Sequence, residues 1–360
     1  MLEKHYQQVR HINKFARSGF LNTRRGAVKT PFFMPVATRG AVKGVTPTEV
    51  LATGAQVLLS NTYHLHIQPG EEIVKKLGGL HEFNRWEGPI LTDSGGFQVY
   101  SLANVRKITE GGVEFIDPNS GKKVLISPES SMKIQIELGS DIIMAFDDVP
   151  GLSRNDKKRT SEAVERTHRW LERCVIEFKK LTKNLKEDER PLLFGIVQGG
   201  LDEKLRKKSL EFVQSQSIDG VAIGGLSVGE SREKMYLMLN FLSTLYDPTK
   251  VHYLMGVGEP KDIRYAIEKG IDMFDCVLPT RNGRHGSVWI DKDQRLNLKN
   301  SRFKGDKGVI DGGCDCYSCQ SNFSRAFLNH LFKAKDPLAG RLTSIHNLRY
   351  LQKICEEYRE

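Results

Sequence analysis

The sequence predicts an α/β fold, a (β/α)8 TIM barrel carrying a zinc-binding subdomain. Three observations lead there. Short apolar runs alternate with helix-period segments through most of the chain, which is the pattern of βα units. The runs end in acids, amides and glycines, where such barrels keep their chemistry. Three cysteines cluster near the C-terminal end at metal-ligand spacing. A length of 360 residues with 39% hydrophobic content is enough to bury one large core.

In chain order, a capping hairpin is expected over residues 15–29, followed by strands at 32–36, 57–60, 90–92, 142–146, 193–197, 221–223, 253–255 and 273–274. Helix starts are marked by Thr46-Pro47-Thr48-Glu49 and Ser127-Pro128-Glu129, where proline at the first helical position needs no hydrogen-bond partner for its nitrogen. Between 160 and 181, Ala163, Val164, Trp170, Leu171, Cys174, Val175 and Phe178 recur at helical spacing, the stripe of a helix laid on the barrel. Gly111-Gly112 and Asn119-Ser120-Gly121 punctuate β-rich runs between 105 and 126, predicting a hairpin inserted in a barrel loop. The expected organisation is a catalytic barrel with its hairpin over 1–300, the zinc-binding subdomain over 301–346, and a C-terminal helix over 347–360 packing back on the barrel.

The formal net charge of +10 suits an anionic partner through counterion release, and equally suits a solubilising surface. The polar N-terminus lacks the apolar core of a secretory signal, and no stretch is long and apolar enough to cross a bilayer, so a cytoplasmic protein without membrane contact is expected.

The strand ends carry the chemistry. Asp93 follows the run ending at Thr92, Asp147-Asp148 follows Phe146, Gln198-Gly199-Gly200 follows Val197, Gly224-Gly225-Leu226 follows Ile223, and Asp275 ends the last run. A single strand-end aspartate is often a helix cap or turn residue. Several on one rim, flanked by glycines that let a ligand approach the backbone, suit glycosyl transfer by a nucleophile and a general acid/base.

These motifs resemble the queuine-type tRNA-guanine transglycosylases of the bacterial type. The resemblance runs from about residue 17 to 350 and rests on Ser60-Asn61-Thr62-Tyr63-His64-Leu65, Asp93-Ser94-Gly95-Gly96-Phe97-Gln98, Ser127-Pro128-Glu129, Gln198-Gly199-Gly200, Gly224-Gly225-Leu226, the Tyr253 to Gly258 run, and Phe274-Asp275-Cys276-Val277-Leu278-Pro279-Thr280-Arg281. It implies Asp275 as the nucleophile on the ribose anomeric carbon and Asp93 as the general acid/base. It also implies Asp147, Gln198, Gly225 and Leu226 on the base edge, with Phe97 and Met255 sandwiching the ring. Arg281, Arg284 and His285 beyond the nucleophile, with Asn61 and His64, are assigned to RNA. The implied partners are a tRNA with a wobble guanine, a free 7-deazaguanine base and a second copy of the chain in a homodimer. The incoming base is read as 7-aminomethyl-7-deazaguanine, with queuine as the alternative, because Asp147-Asp148-Val149-Pro150 looks eukaryotic while Ser227-Val228-Gly229 looks bacterial.

Cys314-x-Cys316-x-x-Cys319 supplies three thiolates, and His346 is a fitting fourth ligand for one structural Zn2+ per subunit, with His330 as the fallback. Three rival readings compete. A hydrolytic barrel glycosidase does not call for the Cys3His set, a non-catalytic tRNA-binding subunit would not keep the aspartate pair, and an archaeal-type enzyme would carry further C-terminal RNA-binding domains.

Overall fold

The computed structural model describes residues 5–96, 106–117, 120–150 and 157–360. Eight parallel strands close into a barrel: β4 (Phe32–Ala37), β5 (Leu58–Ser60), β6 (Ile90–Thr92), β10 (Ile142–Met144), β11 (Leu192–Val197), β12 (Gly220–Ile223), β13 (Val251–Leu254) and β14 (Met273–Cys276). Closure comes from β14 beside β4, with Met273 opposite Phe32 and Asp275 opposite Met34. Each strand lies where its apolar run predicts.

Alternation explains why both strand faces are apolar. Phe32, Met34, Ile142, Met144, Leu192, Phe194 and Ile196 belong to the cluster filling the barrel, while Phe33, Ile143, Leu193 and Val197 belong to the larger cluster shared with the surrounding helices. The helix Lys157–Thr182 buries its predicted stripe, Trp170 stacking on Phe146 with centroids 5.0 Å apart. Full burial of each such side chain contributes about 1.5–3 kcal/mol.

Two additions depart from expectation. At the N-terminus the expected hairpin is present as β2 (Arg17–Thr23) and β3 (Gly26–Thr30), and β1 (Tyr6–His11) pairs with β2 to make the cap a three-stranded antiparallel sheet. β1 was illegible because only Tyr6 of its six residues is buried, so no alternation shows. The insertion is likewise three-stranded: β7 (Arg106–Thr109), β8 (Gly112–Ile116) and β9 (Lys123–Ile126). Beneath the barrel, Arg17 grips Asp272 through two bonds of 3.0 and 2.7 Å, anchoring the residue just before β14.

The helix Pro337–Glu357 runs unbroken through 346 and 347, where the sequence reading placed a domain boundary. Its first half carries His346, and its second half packs Leu348, Leu351 and Ile354 inward and donates from Gln352 Nε2 to the Phe33 carbonyl at 2.9 Å. It crosses the helix Leu278–Arg284 so closely that a Cβ on Gly283 would lie 2.7 Å from the Ser344 nitrogen. No helix among the described residues is long and apolar enough to cross a membrane.

Candidate active site

At the C-terminal ends of the strands lies a cavity of about 540 Å³. Its walls include Asp93, Asp147, Gln198, Gly225, Leu226, Met255 and Asp275, together with Asn61, His64 and Arg281. These residues span more than 200 positions of sequence and meet because every strand points its end at one mouth. Val149 and Val228 also line the cavity. Arg284, half-buried against Gly340, and the exposed His285 do not line the cavity. Phe97 lies outside the described residues.

Asp93 is held from three directions. The N–H groups of Thr62 and Gly95 each donate to Oδ1 at 3.1 Å, and Asn61 Nδ2 donates to Oδ2. Asn61 itself caps the helix Thr62–Ile67 by accepting from His64 N–H, so the carboxyl and the helix entrance are built together. Burial pushes Asp93 up to about 7 against the pull of those donors, and the charge of Asp275 adds to the rise. Asp275 accepts from Tyr253 Oη at 2.6 Å and from Gly256 N–H at 2.8 Å, both on Oδ1. Burial raises it as well, opposed by those same two donors.

Asp147 accepts from Ser94 Oγ at 2.9 Å and Gln198 Nε2 at 2.8 Å, and burial lifts it to about 6. Its neighbour Asp148 turns the other way and binds Arg159 and Arg166. Alternation along the strand extension therefore gives two adjacent acids opposite tasks: one faces the cavity and the other clamps the helix Lys157–Thr182.

A second constellation lies in the C-terminal region. One donor atom from each of Cys314, Cys316, Cys319 and His346 lies within 4.8 Å of the others, and all four residues are buried. His346 Nδ1 is 3.6 Å from Cys316 Sγ and 3.5 Å from Cys319 Sγ, while Nε2 donates to the Trp289 carbonyl at 2.6 Å. That bond fixes the imidazole tautomer and leaves the Nδ1 lone pair for a metal. A tetrahedral ion with metal–sulfur near 2.3 Å and metal–nitrogen near 2.05 Å places its sulfur and nitrogen ligands about 3.6 Å apart, which these separations match. The cluster could hold a metal ion with no position left for substrate. His330 is exposed and outside it.

A family model described as queuine tRNA-ribosyltransferase matches residues 12–360. Curated proteins bearing that name include one from Psychrobacter sp. (strain PRwf-1), 47% identical over 96% of this chain and 89% of its own length. One from Hamiltonella defensa is 46% identical over 98% of this chain and 93% of its own. One from Prochlorococcus marinus (strain MIT 9515) is 47% identical over 94% and 88%. The chain belongs to the queuine tRNA-ribosyltransferase family. As a member it is a transferase.

Three residues in or behind this cavity carry roles that their sequence context does not announce. Tyr253 opens the Tyr253 to Gly258 run, and its buried phenol donates to and anchors Asp275. A tyrosine inside a barrel strand needs a partner for its hydroxyl, and that requirement is the signal that could have found it. Ser94 carried no such signal, because a small hydroxyl suits any turn. Arg206 reads as one more cation on an amphipathic helix, but it is fully buried.

Proposed function

We propose that the chain is a tRNA-guanine transglycosylase that exchanges the wobble guanine of GUN-anticodon tRNAs for a 7-deazaguanine, as a step of queuosine biosynthesis. The carrying observation is the pair Asp93 and Asp275 on one cavity, in surroundings that hold them differently. Both donors to Asp275 engage one oxygen, so the second oxygen is the one left to form a bond to the ribose anomeric carbon. As that bond forms, the glycosidic bond breaks, its electron pair passes to the base nitrogen, and Asp93 delivers a proton there. The steps then reverse with the incoming base: Asp93 accepts the proton from its ring nitrogen, and the aspartyl ester is displaced with the anomeric configuration restored. Burial of the Asp93 carboxyl and the half-buried setting of Asp275 support exchange over hydrolysis, because both limit the access of water to the waiting ester.

Asp147 and Gln198 offer an acceptor and a carboxamide to a purine-like edge, and Met255 offers a polarizable apolar face. The target nucleotide leaves a single-stranded anticodon loop, where unstacking costs least. Zinc is the metal we assign to Cys314, Cys316, Cys319 and His346. It would tie the C-terminal helix to the segment that carries Cys314, Cys316 and Cys319 and take no part in the reaction.

The exchange assay follows labelled guanine into tRNA. Incorporation is expected with a wobble guanosine and not when adenosine replaces it, and sugar release from simple glycosides in its place would overturn the reading. In competition between labelled bases, 7-aminomethyl-7-deazaguanine is expected to win, and preferential uptake of queuine would reverse the choice of substrate.

A pH prediction follows from Asp93. Because its carboxyl is raised to about 7, its protonated fraction falls as pH climbs through that value. Single-turnover guanine release should therefore decline on the alkaline side, approaching tenfold per pH unit above about 8. In Asp93→Asn that limb should vanish while the rate drops about 10²–10⁴-fold. An unchanged alkaline limb in the variant would assign the titration to another group.

A further inference from the structure

Arg206, on the helix Glu203–Ser215, is fully buried and makes no ion pair among the described residues. Its guanidinium donates to backbone carbonyls: Nε to Gly200 at 2.8 Å, Nη1 to Val197 at 3.0 Å and Gly224 at 2.7 Å, and Nη2 to Gly225 at 3.2 Å. Burial pushes it down to about 10, so it remains a cation at neutral pH. A buried charge with no counter-ion is a standing cost to the fold. Carbonyls alone can be satisfied by neutral donors, so the charge itself calls for a reason.

The reason lies in peptide geometry. In a trans peptide the C=O and the next residue's N–H point in opposite directions. Gly224, Gly225 and Leu226 line the cavity and Arg206 does not, so the guanidinium holds this loop from behind. Drawing the Gly224 carbonyl backward turns the Gly225 N–H forward, and drawing the Gly225 carbonyl backward does the same for Leu226 N–H. Among the described residues neither N–H has a protein acceptor. The loop cannot be padded: Gly225 adopts φ +63°, and a Cβ there would lie 2.6 Å from Gln198 Oε1. That oxygen is itself buried without a partner.

We propose that Arg206 is a positioning residue for base departure: through the Gly224 and Gly225 carbonyls it aims and polarises two backbone N–H groups at the carbonyl oxygen of the bound base. The inference rests on the transglycosylase reading above. When the glycosidic bond breaks, the electron pair enters the ring nitrogen and spreads through the conjugated ring, so the exocyclic oxygen gains negative charge until Asp93 protonates the nitrogen. Hydrogen-bond donors fixed in advance at that oxygen stabilise the transition state more than the ground state. A cation one peptide behind them strengthens each bond through cooperative polarisation.

The test compares guanine with 2-aminopurine, which keeps the ring and amine but lacks the oxygen, using Arg206→Lys and Arg206→Gln. Guanine release from tRNA in a single turnover is expected to fall about 10–100-fold in Arg206→Lys and further in Arg206→Gln. In equilibrium binding of the free bases, both variants should lose about tenfold in affinity for guanine and almost nothing for 2-aminopurine. Equal losses for the two bases would show that Arg206 only holds the loop, and would overturn the proposal. Should both variants fail to fold, the unsubstituted enzyme still decides: a preference for guanine over 2-aminopurine of less than about threefold would mean that these N–H groups do not read the oxygen. Absence of any guanine exchange by the unsubstituted enzyme would instead sink the transglycosylase reading, a different result from exchange that survives while the base discrimination does not move.

Discussion

Asp275→Asn is expected to eliminate the denaturation-resistant RNA–protein adduct and to lower turnover by about 10⁴-fold or more, the scale seen when an enzyme loses its nucleophile. The substitution is nearly isosteric. The amide oxygen can still accept from Tyr253 Oη and the Gly256 N–H, so the strand end should keep its shape. What changes is the atom left to attack, since an amide nitrogen does not form a stable ester with the ribose carbon. Incubating enzyme, substrate tRNA and a base analogue, then denaturing and separating by size, reads the adduct directly. Persistence of the adduct in Asp275→Asn would move the nucleophile elsewhere. Tyr253→Phe provides the graded counterpart. Removing that donor takes away an interaction that lowers Asp275, so its ionisation should shift to higher pH and the acid limb of guanine release should follow it upward.

The second large effect concerns the metal. Purified protein is expected to contain one zinc per chain, and Cys319→Ala or exhaustive chelation should lower the thermal midpoint by about 10 °C or more. Structural zinc contributes roughly 10–16 kcal/mol in small peptides, and even a fraction of that is a large share of the margin of a typical domain. The loss should not stay local. His346 sits within a continuous helix whose second half packs on the barrel, and its Nε2 holds the Trp289 carbonyl, so releasing the metal loosens both attachments. Limited proteolysis should then cut first between 287 and 346, before the barrel. Metal analysis that finds no bound ion, or a Cys319→Ala protein that melts like the parent, would remove this assignment.

Legibility followed the range of the forces involved. The eight barrel strands could be read because each is a short apolar run between turn signals, and burial on both faces leaves that mark whatever the surroundings. The cysteine triplet could be read because three of its ligand positions fall within six residues. β1 could not, since its role as a cap is carried by pairing with β2 while most of its side chains face solvent. The continuous helix through His346 was divided because its two halves bury against different neighbours, and a single sequence does not name neighbours.

The chain by itself therefore determined the barrel, the order in which acids, amides and glycines reach its mouth, and the metal donor set. Tertiary structure alone decided that Asp93 rises to about 7, that Asp147 faces the cavity while Asp148 clamps a helix, and that Arg206 stands behind the Gly224–Gly225 loop. The physical reason is one of scale. Secondary structure and ligand spacing are set within a few residues, whereas desolvation and charge at a site are sums over groups that folding alone brings within a few ångströms.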